Sequence, residues 1–352
     1  MNNRTYLNTA ACGLLPSAFT TQAEELYDEM SADASTHAEH WRDNVQPELR
    51  KAVGKLLNTD VENIALLPNF SWGINGVVQS LKGTERILMY KNDYPSLTEP
   101  FKIKGFDITW VGDEDGFAID VAAIKTHILA KQVDILAISH VQWMSGFKVD
   151  LKELGTWCKE NDVLFIVDAT QSLGAIEIDL GEMNVDVLIS SNYKWMNAGF
   201  GTGVMYMNRS FIERYTPAVG GHNSYVLSEG KWIYQPSVRS FEPGHPNMYG
   251  FSVLHAAIKH KLEMGVSKIE EDNKALTQQL LDELRTLGIN YLGDDDMERR
   301  ASIIFIKDEN GVWDKLKEHN IIASQRGGNI RFGIHYYNTE ADIKKLVDCL
   351  KP

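Results

Sequence analysis

Short apolar segments alternate with amphipathic segments between Asn63 and Met207, and this alternation restricts the fold more than any other feature of the chain. We predict a β-strand in each of seven apolar runs: NIALLP, RILMYK, DITWVG, DILAISHV, LFIVDA, DVLIS and GVMYM. Amphipathic segments such as DVAAIKTHILA and LKELGTWCKEN lie between several of them and favour helices. Buried strands that alternate with helices are typical of an α/β domain with a mainly parallel sheet.

The pattern changes after about Pro246. Two long helical segments are followed by three short strand candidates and a final helix: ASIIFIK, IIASQ, NIRFGIH and TEADIKKLVDCL. This order predicts a smaller α+β domain at the C-terminal end of the chain.

Composition excludes several classes of protein. The chain has 352 residues, of which 43% are hydrophobic and 24% charged, as in ordinary globular proteins. A net charge of −13 disfavours nucleic-acid binding. Three scattered cysteines predict neither a disulfide framework nor a metal site. The N-terminal residues MNNRTYLNTA lack the apolar core of a signal peptide, and no run approaches the ~18 apolar residues of a membrane span. We therefore expect a cytoplasmic protein without a membrane partner.

Polar residues follow several of the predicted strands, and in a parallel sheet ligands bind beyond the carboxyl ends of the strands. Asn69 and Ser71 stand where a helix would begin, and such a terminus either binds phosphate or is simply capped by one of these side chains. Tyr94 follows the next strand and either stacks on a flat ligand or packs under a loop. His140 is either a ligand or a structural residue.

Asp168 and Lys194 are the two charged residues of greatest interest. Asp168 ends a buried strand, where a carboxylate needs either an arginine or a protonated ring nitrogen of a cofactor as its partner. Lys194 follows DVLIS, and a lysine in an apolar pocket forms Schiff bases as the free amine. The nearby Gly199, Gly201 and Gly203 do not form a dinucleotide fingerprint, because a strand and not a helix follows them.

Taken together, these strand ends offer a phosphate site, a stacking aromatic ring, a carboxylate and a lysine, which is the set that pyridoxal phosphate requires. The sequence resembles the class V aminotransferase family, which includes cysteine desulfurases, isopenicillin N epimerase-like proteins and kynureninase-like enzymes. The resemblance covers nearly the whole chain and is carried by YLNTAACGLLP, NDYPS, ISHV, VDATQSLGAIEIDL, SSNYKW and IRFGIHYYNTEADIKKL.

The resemblance implies three catalytic residues. Lys194 would form the Schiff base with the cofactor and move protons at the α-carbon of the substrate. Asp168 would keep the pyridine nitrogen protonated, and Tyr94 would lie on the face of the ring. Arg331 matches the arginine that binds the substrate carboxylate, and the alternative is an exposed charge at a strand edge.

The same resemblance implies further contacts to the cofactor. Four residues would hold its phosphate, Gln171 would bind the phenolic oxygen, and His140 would lie near the same edge. The phosphate residues are Phe70 through its N–H, Ser71, Ser191 and Tyr193. The segment FEPGHP of the neighbouring subunit, with His245, would reach the same phosphate.

The fold implied is that of the fold type I pyridoxal phosphate-dependent transferases. Residues 14–246 would form the large cofactor domain, and residues 1–13 with 247–352 the small domain. The protein would be a homodimer that has its cofactor sites near the interface and an amino acid as its substrate.

The chain departs from the cysteine desulfurases of this family, which carry a nucleophilic cysteine shortly before the substrate arginine. The matching segment here is ASQRGGNIR, which has no cysteine. This disfavours desulfuration through a persulfide. Transamination is the first expectation, and a cysteine-independent C–S or β-elimination lyase and an epimerase are the alternatives. A non-catalytic protein that binds pyridoxal phosphate remains a further alternative, whereas a nicotinamide-dependent dehydrogenase is disfavoured because a strand–GxGxxG–helix unit is lacking.

Overall fold

A seven-stranded sheet forms the centre of the larger part of the molecule in a computed structural model, which describes residues 4–309 and 311–351. Within these residues we number the strands in chain order: β1 Thr5–Tyr6, β2 Ile64–Leu67, β3 Arg86–Tyr90, β4 Asp107–Val111, β5 Ile135–Ser139, β6 Leu164–Asp168, β7 Val187–Ser191, β8 Gly203–Met207, β9 Tyr225–Ser228, β10 Lys231–Tyr234, β11 Ile303–Lys307, β12 Ile321–Ile322, β13 Ser324–Arg326 and β14 Asn329–Gly333.

The α-helices are numbered in the same way: α1 Thr21–Met30, α2 Ala34–His40, α3 Gln46–Leu57, α4 Phe70–Ser80, α5 Pro95–Lys104, α6 Val121–Leu129, α7 Leu151–Glu160, α8 Arg209–Arg214, α9 Met248–Met264, α10 Val266–Thr286, α11 Val312–Glu318 and α12 Glu340–Leu350. A π-helical turn at Trp41–Val45 joins α2 to α3. Among the described residues, no helix is long and apolar enough to cross a membrane.

The order of the central sheet is β2-β8-β7-β6-β5-β3-β4, and β8 alone runs antiparallel to its neighbours. All seven predicted strands are confirmed, and every residue of β5 to β8 is buried. Such continuous apolar runs fit strands that are covered on both faces. Because β3, β5, β6 and β7 are parallel, their carboxyl ends meet at one edge of the sheet.

Helices cover both faces of this sheet. On one face, α3, α6, α7 and α9 contribute apolar side chains to a core that also contains Phe165 and Leu188. On the other face, α4, α5 and α8 pack against residues such as Ile166 and Ile189. Neighbouring residues of one strand thus enter different cores, since successive side chains point to opposite faces. The predicted α/β architecture with a mainly parallel sheet is confirmed.

A smaller unit at the C-terminal side is built on the antiparallel sheet β11-β14-β13. Its core combines side chains from α10, α11 and α12 with Leu7 from the start of the chain. Strand β1 pairs in parallel with β12, so the first described residues join this unit. Helix α9 instead packs on α1 and α3 of the larger part. The domain boundaries at residues 13 and 246 stay a prediction.

Two features differ from the sequence prediction. The segment IIASQ is not one strand, because its residues divide between β12 and β13, which belong to different sheets. The hairpin β9–β10 was not predicted at all. Its side chains are mostly exposed, including Leu227 and Trp232, so it lacks the buried apolar pattern by which the other strands are recognised.

Candidate active site

A cavity of about 380 Å³ lies at the edge where the carboxyl ends of the parallel strands meet. This is the place that a parallel sheet offers for ligands. The residues around it come from the ends of β2, β3, β5, β6 and β7 and from the loop before β8. They are Asn69, Phe70, Ser71, Tyr94, Ser96, Ser139, Val141, Trp143, Asp168, Thr170, Gln171, Ser191, Tyr193, Lys194, Phe200, Gly201 and Thr202.

Lys194 lies three residues beyond the end of β7 and is buried, with 7% of its surface exposed. Its amine is 5.6 Å from the centre of the Tyr94 ring and 5.7 Å from that of Tyr193. Burial lowers the pKa of this amine, and the positive charge of Arg331 acts in the same direction, whereas Asp168 raises it. A lysine in this setting is available as a free, nucleophilic amine at lower pH than an exposed lysine.

Asp168 ends β6 beside Lys194 and is 5% exposed. Its Oδ1 accepts a hydrogen bond of 2.8 Å from the Thr170 N–H. Burial raises the pKa of this carboxyl, while the hydrogen bond from Thr170 lowers it. Within the described residues, no arginine forms an ion pair with Asp168, so the salt bridge considered as its alternative role is absent there.

The start of helix α4 opens onto the same cavity. The Asn69 side chain caps the helix by accepting 2.8 Å from the Trp72 N–H, as one of the two alternatives from the sequence proposes. The Phe70 N–H donates to the Ser191 hydroxyl at 2.8 Å, and Ser71 lines the cavity beside them. The positive end of this helix, Ser71 and Ser191 of β7 therefore border the same cavity, which suits an anion.

Aromatic rings form the walls of the cavity. Tyr94 meets Trp143 edge to face, with 5.5 Å between the ring centres. Tyr193, which also lines the cavity, stacks on Phe200 at 4.8 Å, with the ring planes 19° apart. The indole N–H of Trp143 is buried and has no hydrogen-bond partner among the described residues. A flat ligand would thus lie between aromatic side chains.

Gln171 and His140 lie on the side of Asp168. The Gln171 amide is oriented at both ends, because Nε2 donates 3.0 Å to the Ala10 carbonyl and Oε1 accepts 2.7 Å from the Trp195 indole. His140 is buried behind the cavity, and burial lowers its pKa to about 3. Its Nδ1 has no partner within the described residues, so this neutral ring keeps an unused polar atom.

Arg331 is on β14 of the smaller sheet and is 3% exposed, so it is not an exposed charge at a strand edge. Its Nη1 donates 2.6 Å to the Trp143 carbonyl, which brings the guanidinium to the cavity wall. The Nε atom is buried without a partner among the described residues. Burial lowers the pKa of Arg331 to about 10, with a further contribution from Arg326. The group remains a cation at neutral pH, with donors free for a carboxylate.

His245 lies away from this cavity in the same chain. It is exposed and borders a separate depression beside Trp72 and Asn247. Its predicted contact with the cofactor of a neighbouring subunit stays a prediction.

The sequence does not reveal that the segment around Gly13 packs against the backbone of Lys194. The Gly13 N–H donates 2.9 Å to the Tyr193 carbonyl. A β-carbon at Gly13 would come within 1.9 Å of the Lys194 carbonyl oxygen, so only glycine fits this approach. Asp93 was also missed. It is buried and accepts hydrogen bonds from the Tyr94 N–H and the Ser139 N–H. The position of this carboxylate, directly before Tyr94 in the motif NDYPS, could have indicated its role.

No group of three or more metal-ligating side chains occurs among the residues that the structure describes.

Residues 5–346 match the model of the class-V aminotransferase family. Among curated proteins, the chain is 27% identical over 331 residues to a probable cysteine desulfurase of Pyrococcus abyssi (strain GE5 / Orsay), which covers 86% of this chain and 82% of that protein. Among solved structures, it is similar to a cystine C–S lyase in complex with cysteine persulfide, with a TM-score of 0.90, 21% identity and coverage of 100% and 99%. The chain is also similar to a variant of that lyase with glycine covalently linked to its pyridoxal phosphate. The TM-score is 0.89 at 20% identity, and the match covers 99% of this chain and 96% of that chain.

Proposed function

The chain belongs to the class-V aminotransferase family, and from this premise we propose that it binds pyridoxal phosphate at Lys194 and acts at the α-carbon of an amino acid. The observation that carries the proposal is the arrangement around the cavity. One buried lysine, one buried carboxylate and a helix N-terminus line a single space between aromatic side chains, and a buried arginine donates to the carbonyl of Trp143 in its wall.

The residues present fit this cofactor. Asp168 is a buried carboxylate that no arginine neutralises within the described part of the chain, so a protonated ring nitrogen would supply its missing partner. The start of α4 with Ser71 and Ser191 suits the phosphate. Buried polar atoms without partners among the described residues, such as Thr202 Oγ1, remain for further hydrogen bonds. When bound, pyridoxal phosphate supplies an electron sink for the electron pair that remains when a bond to the α-carbon breaks.

The chain's own groups would do the rest of the work. The free amine of Lys194 takes the proton from the α-carbon and returns one later, and burial favours the free amine because it lowers the pKa of this lysine. Arg331 binds the α-carboxylate through the donors that Trp143 leaves free. Asp168 holds the proton at the ring nitrogen. Tyr94 and Trp143 fix the plane in which the ligand lies and limit the space beside it.

For the overall reaction we place β-elimination at a C–S bond before transamination. The name of one similar structure, a cystine C–S lyase, favours elimination, and the name of the probable cysteine desulfurase favours a sulfur-containing amino acid as substrate. The turn between β13 and β14 holds Gly327 and Gly328 and no thiol, and Cys158 and Cys349 are buried. Cleavage would therefore proceed without a cysteine on this hairpin. Transamination, the first expectation from the sequence, is the second candidate.

One experiment separates these outcomes. The purified protein is loaded with pyridoxal phosphate, and its visible absorbance is followed while single L-amino acids, including cysteine and cystine, are added. We expect a persistent cofactor band with pyruvate, ammonia and a sulfur product for a lyase, and conversion to a pyridoxamine-type band for an aminotransferase. A stable band with no product from any amino acid would support the non-catalytic alternative.

The matched variants are Lys194→Ala and Lys82→Ala, because Lys82 is an exposed lysine outside the cavity. We expect Lys194→Ala to lose both the lysine-bound absorbance and turnover, and Lys82→Ala to retain both. A normal band in Lys194→Ala would contradict the role of this lysine. The homodimer and the cytoplasmic location predicted from the sequence belong to this proposal as well.

A further inference from the structure

Lys261, on helix α9, is a buried lysine that the proposed chemistry does not use. Its side chain is fully buried, and within the described residues no carboxylate forms an ion pair with it. Burying an ammonium without a counter-charge is strongly unfavourable, and burial indeed lowers its pKa well below the ordinary value. A hydrophobic residue would fill this position at a smaller cost in stability, so we expect the buried amine to have a specific role.

The hydrogen-bond partners of Lys261 indicate this role. Its amine donates 3.1 Å to Oδ1 of Asn197 and lies 2.8 Å from Nε2 of His335. The same amine is 4.1 Å from the centre of the Tyr336 ring, which partly offsets the lost hydration. The lysine thus joins a residue that follows β14 to the loop that carries Lys194.

His335 is fully buried as well, and its Nε2 lies close to two oxygen atoms of the loop that carries Lys194. Its Nε2 is 2.8 Å from the Trp195 carbonyl oxygen and 3.1 Å from Asn197 Oδ1, and its Nδ1 is 3.2 Å from Asn273 Nδ2. With Asn273 donating to Nδ1, Nε2 carries the hydrogen and donates to Trp195. Lys261 and His335 therefore hold both residues that flank Met196.

The loop itself is held in an uncommon backbone conformation. Asn197 has a φ of +60°, in the left-handed region that asparagine tolerates better than most residues. Its N–H donates 3.2 Å to the Lys194 carbonyl, and its Nδ2 donates 2.8 Å to the Leu14 carbonyl. Because Asn197 bonds directly to the Lys194 backbone, any displacement of its amide is passed to Lys194.

We propose that Lys261 and His335 are positioning residues for Lys194. They fix the Trp195 carbonyl and the Asn197 amide, and so hold the Lys194 amine towards the cavity. This inference rests on the proposed function of Lys194 as the cofactor lysine.

A positioning role and a structural role predict different results for Lys261→Met. Methionine preserves much of the side-chain volume and removes the hydrogen bond from the amine to Asn197 Oδ1, while His335 keeps its bond to the Trp195 carbonyl. A positioning role therefore predicts a folded protein of unchanged or higher melting temperature whose Lys194 is less well held. A structural role predicts a lower melting temperature and an unaltered Lys194 in the molecules that remain folded.

The test measures capture of pyridoxal phosphate by the cofactor-free protein across a range of pH, because the rate reports the free Lys194 amine and needs no substrate. For Lys261→Met we expect capture slower by roughly tenfold to a hundredfold at neutral pH, the range that a small misplacement produces. We also expect its pH midpoint to rise towards that of an exposed lysine, since a displaced amine loses the burial that lowers its pKa. Lys259→Met, an exposed lysine on the same helix, is the control and should behave as wild type.

His335→Gln is the second variant and should slow capture in the same direction. The inference is overturned if both variants capture the cofactor at the wild-type rate and pH midpoint. It is also overturned if neither variant folds, because the pair would then support the fold and not the lysine. Failure of wild-type protein to capture pyridoxal phosphate would instead contradict the proposed function itself.

Discussion

At the scale of single residues, the site depends on charges that are buried together. Lys194, Asp168 and Arg331 are each at most 7% exposed. Arg331 and Asp168 act on the pKa of Lys194 in opposite directions, and burial adds to the effect of the arginine. The amine is therefore free at a pH where an exposed lysine is still protonated, and it loses this reactivity when the pH falls through its lowered pKa.

We expect Arg331→Gln to weaken the binding of α-amino acids more than it slows the chemical step. A hydrogen bond to a charged group contributes about 1.5–3 kcal/mol, so the Michaelis constant should rise roughly tenfold or more with a smaller change in kcat. Steady-state kinetics with an amino acid that is turned over in the absorbance experiment provides the measurement. Lys307→Gln, at an exposed end of β11, is the control. An unchanged Michaelis constant for Arg331→Gln would exclude this arginine as the carboxylate site.

At the scale of elements, a buried ion pair connects helix α3, strand β2 and the segment that leads to His245. Arg50 Nη2 donates to both carboxylate oxygens of Glu242, at 2.7 and 2.6 Å, and the Leu66 N–H donates to the same carboxylate at 2.7 Å. Arg50 Nη1 also reaches the Ile64 carbonyl at 2.5 Å. The Glu242 carboxylate thus binds a side chain of α3 and a backbone N–H of β2, and these bonds fix the start of the segment 242–246.

Replacement of Glu242 by alanine should destabilise the protein by about 3–5 kcal/mol, because it leaves the Arg50 guanidinium buried without its partner. Urea denaturation followed by far-UV circular dichroism measures the change. The control is Glu48→Ala, which removes the exposed pair with Lys51 and should alter stability little. Equal stability of the two variants would show that the buried pair has no such role.

At the scale of the whole molecule, exposed apolar side chains lie at the cavity and at a neighbouring depression that shares Asn69 and Ser71 with it. Phe200 is 69% exposed, Val219 59% and Trp72 48%. Trp72 also borders two depressions, one of which includes Val219 and the other His245. Exposed apolar surface is typical of interaction sites, and a second copy of the chain is the partner that the sequence predicts.

We expect the protein to have twice the 39.7 kDa mass of one chain in size-exclusion chromatography with light scattering. Trp72→Asp and Val219→Asp should shift it towards the single-chain mass, because each places a charge in the apolar contact. Leu129→Asp is the control, since Leu129 ends helix α6 on the other face of the sheet from α4. A single-chain mass for the wild type would contradict the homodimer, and with it the proposed contact of His245.

Much of this organisation could be predicted from the chain because it is local. The strands of the central sheet are continuous apolar runs, and the residues just after them reach the cavity as the parallel order requires. The contacts made by Gly13, His335 and Lys261 could not be predicted, since each joins segments that are distant in sequence. The hairpin β9–β10 escaped prediction for another reason, because it has little buried surface to impose a pattern.

The pairing of β1 with β12 has a consequence for how the protein is made. Thr5 lies opposite Ile321, so this contact closes a loop that contains most of the chain. During synthesis Thr5 leaves the ribosome long before its strand partner Ile321. Since contacts between distant residues form slowly, the wall behind Lys194 is completed late in folding. All strands of the central sheet are therefore translated before the partner of β1, and Lys194 is enclosed only after the segment around Ile321 has left the ribosome.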